Sequence, residues 1–158
     1  MLVLSGWFTG IYYSFTLKRR VEFIESYISF ISQMSEIIRF SGITLEEVLK
    51  KIHTYGIMEE IIKSVQFGLV CDKSFRKSWC EAVDSQSNIL NKSDIEILKD
   101  FGSVLGTTDI EGQTAHCTLS VEFAKKNLAA AVEDYKTKSK LYRSLGLLGG
   151  VAVALMII

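Results

Sequence analysis

The sequence predicts an all-α protein in which a six-helix bundle lies between an N-terminal and a C-terminal transmembrane helix. Three observations support this fold class: apolar residues recur at helical period through most of the chain, both ends are apolar, and the 158 residues contain no proline. Because proline interrupts helix interiors and favours turns, its absence suits long helices with short connections. The predicted limits are 1–17 for the first transmembrane helix, 18–140 for the cytoplasmic bundle and 141–158 for the second transmembrane helix.

Each apolar end carries basic residues on its inner side. These residues are Lys18, Arg19 and Arg20 after the first end, and Lys136, Lys138, Lys140 and Arg143 around the start of the second. Positive charge stays preferentially on the cytosolic side of a bilayer. The pattern therefore predicts that both inner flanks face the cytosol and that both termini are non-cytosolic. A cleaved signal peptide would carry its positive charge before the apolar core, so a retained anchor is predicted instead.

Of the two predicted transmembrane helices, the first is the shorter and the less apolar. Eighteen helical residues, as in 141–158, rise about 27 Å against a hydrocarbon core of about 30 Å. The first end is shorter still and contains the polar residues Ser5, Thr9 and Ser14. An incomplete first span, with a start codon upstream of Met1, is therefore kept as an alternative.

Small residues recur at every fourth position in both apolar ends. They are Gly6, Gly10 and Ser14 in the first end, and Gly146, Gly150 and Ala154 in the second. Such rows let helix backbones approach closely in lipid, where burial of apolar surface gives no driving force between helices. They predict a helix-packing face in each end. The alternative interpretation is that glycine is simply frequent in membrane helices.

The bundle is predicted to begin with a long amphipathic helix. From Glu22 to Phe40 a broad apolar stripe recurs at helical period opposite a polar face, which indicates a helix packed on one side; Gly42 is predicted to end it. The sequence Thr44–Glu47 has the spacing of a capping box and is predicted to open a second helix, which runs to about Thr54 and is closed by Gly56.

Two short helices are predicted next. The third covers Met58 to Phe67, with Gly68 as its stop. The fourth covers Phe75 to Val83 and follows Ser74, whose hydroxyl is a suitable N-terminal cap.

The last two helices are predicted to begin at two further capping boxes. Ser93–Glu96 would open the fifth helix, which ends near Gly106, and Thr108–Glu111 would open the sixth. Beyond this point, apolar and small residues keep alternating three- and four-residue steps, which predicts one long helix running towards the membrane. These residues are Ile110, Thr114, Cys117, Val121, Ala124, Leu128, Ala131, Tyr135 and Tyr142.

Few residues could support metal or nucleophilic chemistry. The three cysteines, Cys71, Cys80 and Cys117, lack Cys-x-x-Cys spacing, so we expect free thiols in a reducing compartment, packed as small buried hydrophobes, rather than disulfides or a zinc site. His116 adjoins Cys117, but neighbouring side chains on a helix point about 100° apart. The sequence predicts no catalytic residue, no metal site and no cofactor. A cysteine-dependent membrane enzyme, with Cys and His brought together from distant positions, is kept as an alternative.

Nucleotide and nucleic-acid binding are not predicted. The segment from Gly102 to Gly106 lacks the lysine and the hydroxyl residue of a phosphate-binding loop. Both glycines are predicted to lie at helix ends. Asp109 and Glu111 are explained by a helix N-terminus, where acidic side chains interact favourably with the helix dipole. The formal net charge is zero, and no basic stripe stands out beyond the two flanks, so a nucleic-acid partner is excluded.

Several segments in order along the chain resemble one known family. They are Thr9-Gly10 in the first apolar end, the run Leu98-Lys-Asp-Phe-Gly-Ser-Val-Leu-Gly106 followed by Asp109, the long final helix, and Tyr142-Arg-Ser-Leu-Gly-Leu-Leu-Gly-Gly150 before the apolar tail. Together they resemble the stage III sporulation protein AB family, membrane proteins of endospore-forming bacteria. The resemblance covers almost the whole chain.

The resemblance implies a fold, a place and partners. The implied fold is a cytoplasmic six-helix domain similar to the F-type domain of the platform protein in type II secretion and type IV pilus machines, and such proteins are not enzymes. The family would act as a scaffold in the channel complex between mother cell and forespore, in the outer forespore membrane with its domain in the mother-cell cytosol. The implied partners are a secretion-type ATPase, similar to stage III sporulation protein AA, and other membrane components of the complex.

One alternative function follows from the residues alone. The chain would be a membrane-anchored helical sensor or adaptor that self-associates through its spans, using the row of Gly146, Gly150 and Ala154.

Overall fold

The part of the chain that the structure describes consists of six α-helices and contains no strand. A computed structural model describes the backbone of residues 2–41 and 44–157, and the side chains of residues 12–40, 44–142 and 144. The all-α prediction is confirmed. The helices are α1 (Leu2–Ser41), α2 (Leu45–Lys51), α3 (Gly56–Val70), α4 (Phe75–Asp84), α5 (Lys92–Val104) and α6 (Ile110–Ile157).

The two terminal helices each continue from the central unit into an apolar end. α1 runs without a break through Lys18, Arg19 and Arg20, and α6 runs through Leu141. The reason lies in composition: residues 11–41 and 113–145 contain neither glycine nor proline, so nothing in the backbone favours an interruption.

No helix within the described residues combines the length and the apolar character needed to cross a bilayer. The side chains of residues 1–11 and 145–158 lie outside the described residues, as does that of Arg143. These ranges include most of both predicted transmembrane helices.

The chain divides into two units. The central unit is Glu22–Leu128, and the terminal unit combines Met1–Val21 with Ala129–Ile158. The predicted limits of the bundle, at residues 18 and 140, stay a prediction.

Two of the predicted N-terminal caps are confirmed. The Thr44 hydroxyl accepts the Glu47 backbone N–H at 3.4 Å, and the Glu47 carboxylate accepts the Thr44 N–H at 3.1 Å, which completes a capping box. The Ser74 hydroxyl accepts the Lys77 N–H at 3.4 Å at the start of α4. Both caps satisfy amides that have no partner inside the helix.

The cap predicted for α5 is wrong. Its N-cap is Asn91, whose side-chain oxygen accepts the Asp94 N–H at 2.8 Å while the Asp94 carboxylate accepts the Asn91 N–H at 3.1 Å. Ser93 therefore lies inside the helix. Asn91 and Asp94 have the same three-residue spacing as the predicted box, and their reciprocal pair satisfies two amides.

The cap predicted for α6 is also shifted. The Asp109 carboxylate, rather than Thr108, accepts the backbone N–H of Gly112 at 2.9 Å. A carboxylate at this position gains from the helix dipole as well as from the hydrogen bond.

The glycines predicted to end helices have different outcomes. Gly42 lies outside the described residues. The second helix ends at Lys51, earlier than the predicted Thr54. Gly56 starts α3 at a φ of 61° instead of closing α2. Gly106, with a φ of 79°, follows the end of α5 as predicted. These positive φ values are ones that a residue with a Cβ rarely adopts.

Gly68 and Gly102 are helix contacts rather than helix ends. Gly68 lies inside α3, which continues to Val70, and a Cβ there would overlap the Ser78 side chain of α4. Gly102 lies inside α5, and a Cβ there would overlap the Trp79 indole. The missing side chains let α4 approach α3 and α5 closely.

The core of the central unit is a cluster of aromatic rings around Trp79. The indole stacks with Phe30 at 5.8 Å between centroids, with Phe75 at 5.6 Å, and lies 5.7 Å from Phe101. Its ring N–H donates to the Leu98 carbonyl oxygen at 2.7 Å. The buried face predicted for the first bundle helix is confirmed; its buried members are Phe23, Ile24, Tyr27, Phe30, Ile31 and Met34.

The prediction of one long final helix is confirmed by α6 (Ile110–Ile157). Cys117 and Ala124 are buried in the central unit, and Ala131 is buried in the terminal unit, whereas Ile110 is half exposed. Small side chains at seven-residue spacing leave room for close packing along one face of this helix.

Candidate functional site

The three cysteines occupy different environments and are all free thiols. Cys71 is exposed, Cys80 is half-buried and Cys117 is buried. Burial raises the pKa of the Cys117 thiol to about 11. Because the thiolate is the reactive form, Cys117 is a packing residue at neutral pH. The expectation of buried, hydrophobe-like thiols holds for Cys117 and fails for Cys71.

Both histidines take part in structural contacts. The His116 ring stacks on Phe101 at 5.9 Å with an interplanar angle of 10°, and its Nε2 is buried without a hydrogen-bond partner. The backbone of His53 is held by the Gln33 side-chain amide, which accepts its N–H at 3.3 Å and donates to its carbonyl oxygen at 3.1 Å. Within the described residues, no three His, Cys, Asp or Glu side chains are arranged to hold a metal ion.

The burial difference between the cysteines predicts a difference in labelling. In the native full chain at pH 8, iodoacetamide should modify Cys117 at least about tenfold more slowly than Cys71, because Cys117 is both shielded and protonated. Mass spectrometry of peptides after timed labelling measures both rates. Labelling of Cys117 should rise only as the pH approaches about 11. The stabilisation from burying the neutral thiol is present at neutral pH and is lost over the same rise in pH.

Denaturant supplies the control for this experiment, because it removes the shielding and should bring the two rates together. Equal rates in the native protein would contradict the assigned burial of Cys117.

One predicted basic flank residue is buried in an ion pair. Arg20 is 7% exposed, and its guanidinium lies 3.5 Å from the Asp134 carboxylate of α6. The other oxygen of Asp134 accepts from the Lys138 ammonium at 2.6 Å. The pattern of basic flanks gave Arg20 and Lys138 a topological role and missed Asp134, although its four-residue spacing to Lys138 is the spacing of a helical ion pair.

The remaining flank and packing residues are only partly described. Lys18, Lys136 and Lys140 have exposed side chains, and Arg19 is half-buried. Ser14 is buried in the terminal unit, where the Tyr13 and Tyr142 rings stack at 5.3 Å. The other five residues of the predicted packing rows lie where side chains are not described; they are Gly6, Gly10, Gly146, Gly150 and Ala154. Their role in membrane packing stays a prediction.

A buried polar network that the sequence analysis missed joins α5 to α6. Asp94, which is 2% exposed, accepts from the Asn127 side-chain amide at 2.8 Å in addition to its capping bond with Asn91. The Ser93 hydroxyl also contacts the Asn127 amide at 3.2 Å. The carboxylate is therefore a structural acceptor that fixes the start of α5 against α6.

The central unit exposes apolar residues around a groove between α2 and α3. The groove has a volume of about 230 Å³ and is lined by Glu46, Lys50, Gln66, Leu69 and Val70. Val70 is 82% exposed, and Phe67 on the same turn of α3 is 71% exposed. We call these five lining residues the α2–α3 groove. Exposed apolar side chains beside a groove are typical of protein-binding surfaces.

A second exposed apolar surface lies on α6. Leu119 and Phe123, four residues apart, are each about half exposed, and Glu122 and Lys126 share this face. We call these four residues the outer α6 stripe. Neither surface was predicted from the sequence, because the periodic pattern of each helix was interpreted only for its buried face.

Comparisons with known proteins agree on one family. The family model described as stage III sporulation protein AB matches residues 1–158. Stage III sporulation protein AB of Bacillus subtilis (strain 168) is 33% identical over 86 residues, which are 54% of this chain and 47% of the relative. The match thus spans about half the length of that relative. A solved structure of stage III sporulation protein AB (SpoIIIAB) superposes with a TM-score of 0.61 at 19% identity, covering 74% of this chain and 96% of the other; at that identity it confirms the fold alone.

Proposed function

Because this chain belongs to the stage III sporulation protein AB family, we propose that it is a non-enzymatic platform of the sporulation channel complex between mother cell and forespore. In this proposal the chain engages a secretion-type ATPase similar to stage III sporulation protein AA, together with other membrane components. The observation that carries the proposal is the family match over residues 1–158.

The proposed location is the outer forespore membrane, with the central unit in the mother-cell cytosol. Two apolar ends with basic residues on their inner sides support it, because that arrangement favours cytosolic flanks and non-cytosolic termini. The Arg20–Asp134–Lys138 cluster is compatible with it. Three charged groups cost several kcal/mol to place in hydrocarbon, so the cluster belongs on the aqueous side of the membrane boundary.

The positions of the polar and apolar side chains support binding rather than catalysis. The buried polar groups hold helices together: the Asp94 carboxylate accepts the Asn91 backbone N–H at the start of α5 and the Asn127 side-chain amide of α6, and His116 stacks in the aromatic core. Apolar groups, by contrast, are exposed at Phe67 and Val70. A rigid helical bundle with exposed apolar side chains suits a scaffold that binds other proteins.

The proposal predicts direct binding of the ATPase. The tagged full chain, held in nanodiscs and in detergent, should retain the purified ATPase of its own sporulation complex in a pull-down. Nanodiscs and detergent micelles without the chain are the control and should retain no ATPase. Failure of the wild-type chain to bind in both environments would contradict the proposed partnership.

A further inference from the structure

The α2–α3 groove has a defined shape and an ordered pair of charges. The Gln66 side-chain amide donates to the Leu49 carbonyl oxygen at 3.2 Å, which fixes α3 against α2. Glu46 and Lys50 lie one helical turn apart on α2, both exposed, and within the described part of the chain neither makes a hydrogen bond or an ion pair. The groove therefore offers a preformed apolar wall with a carboxylate and then an ammonium group along its edge.

The outer α6 stripe has matching features. Leu119, Glu122, Phe123 and Lys126 follow three- and four-residue steps and so share one face of the helix. Glu122 contacts the Lys125 ammonium at 2.9 Å, but both side chains are exposed, and such surface pairs contribute little. The stripe thus presents two apolar side chains beside a carboxylate and an ammonium group that are also one turn apart.

The order of the charges selects one docking direction. Along the chain, the acidic residue precedes the basic one both in Glu46–Lys50 and in Glu122–Lys126. If the two helices meet antiparallel, Glu46 faces Lys126 and Lys50 faces Glu122. If they meet parallel, like charges face each other, which is unfavourable.

The size of the groove fits an aromatic side chain. An apolar cavity of about 150 Å³ accommodates benzene, and the groove has a volume of about 230 Å³. Phe123, which is half exposed on α6, would bury its ring there against Leu69 and Val70.

We propose that the α2–α3 groove binds the outer α6 stripe of a second copy of this chain, antiparallel and with Phe123 in the groove. The two surfaces are different parts of the molecule, so each copy can bind another copy through its groove and through its stripe. This inference depends neither on the membrane nor on the ATPase, and its test contains only this chain.

Charge exchange tests the contact. Sedimentation velocity of the full chain in mild detergent, over a range of concentrations, should show association of the wild type. Glu46→Lys and Lys126→Glu should each weaken it by roughly tenfold, because each places like charges opposite one another. The double variant should recover most of the lost affinity, since it restores opposite charges in reversed order. Phe123→Ser should abolish association.

Controls with the same charge change outside both surfaces are available. Glu60→Lys on α3 and Lys92→Glu on α5 alter exposed residues and should leave association unchanged. Circular dichroism verifies that every variant is folded. A monomeric wild type, which is also the expected result if a different protein occupies the groove, overturns the proposal. Association that survives Phe123→Ser, or a double variant no tighter than the single ones, overturns it as well.

Discussion

Replacing Trp79 with alanine is expected to destabilise the protein more than any other single truncation, by about 3–5 kcal/mol, which is the usual cost of truncating a buried tryptophan or phenylalanine. The indole is fully buried and lies between Phe30, Phe75 and Phe101. Its removal leaves a cavity at the centre of the bundle and withdraws the hydrogen bond to the Leu98 carbonyl oxygen. Urea unfolding of the full chain, followed by far-ultraviolet circular dichroism, measures the loss.

An exposed ring provides the comparison for Trp79. Phe67→Ala removes an aromatic side chain that is 71% exposed and should change the free energy of unfolding by no more than about 0.5 kcal/mol. Trp79→Phe should fall between the two, because it keeps a ring but loses the indole N–H. If Trp79→Ala cost as little as Phe67→Ala, the aromatic cluster would not be the core of the central unit.

The second large effect is expected at Gly102. Valine at this position should destabilise the protein by about 3 kcal/mol, the upper range for overpacking a core, because even its Cβ would overlap the Trp79 indole. Alanine should cost less. The direction of the stability change caused by Gly102→Ala is informative. On helix propensity alone, Gly→Ala inside a helix would stabilise the protein by about 1 kcal/mol. A net loss of stability therefore identifies the contact with Trp79.

A double-mutant cycle isolates that contact. In a Trp79→Ala background the ring atoms that crowd Gly102 are gone, so Gly102→Ala should cost less than it does in the wild type. Glu96→Val, on the exposed face of the same helix, controls for β-branching, which disfavours helices slightly. Additive costs for Trp79→Ala and Gly102→Ala would show that the glycine is not required by the indole.

The helical segments and two of their caps could be predicted because their causes are local. The capping box of Thr44 and Glu47 joins residues three positions apart, and the buried face of residues 22–40 follows from the spacing of its own side chains. The same local method misplaced the caps of α5 and α6 by one or two residues. Asn91 and Asp109 compete with Ser93 and Thr108 for the N-cap position, and residue type alone ranks them nearly equally.

The contacts between helices could not be predicted in this way. Arg20 and Asp134 are 114 positions apart, and Arg20 carries its charge equally well in a topology flank or in a buried pair. The α2–α3 groove exists because α3 packs beside α2. The residue pattern within either helix does not predict that packing.

By itself, then, the sequence determined that the described part of this protein is all-α, and it identified the family that the chain resembles. Only the tertiary structure decided that Gly68 and Gly102 are helix contacts rather than helix ends. The physical reason is the range of the forces: backbone hydrogen bonds and caps are satisfied within one turn, whereas the use of an absent side chain depends on what a neighbouring helix brings against it, here Ser78 and Trp79.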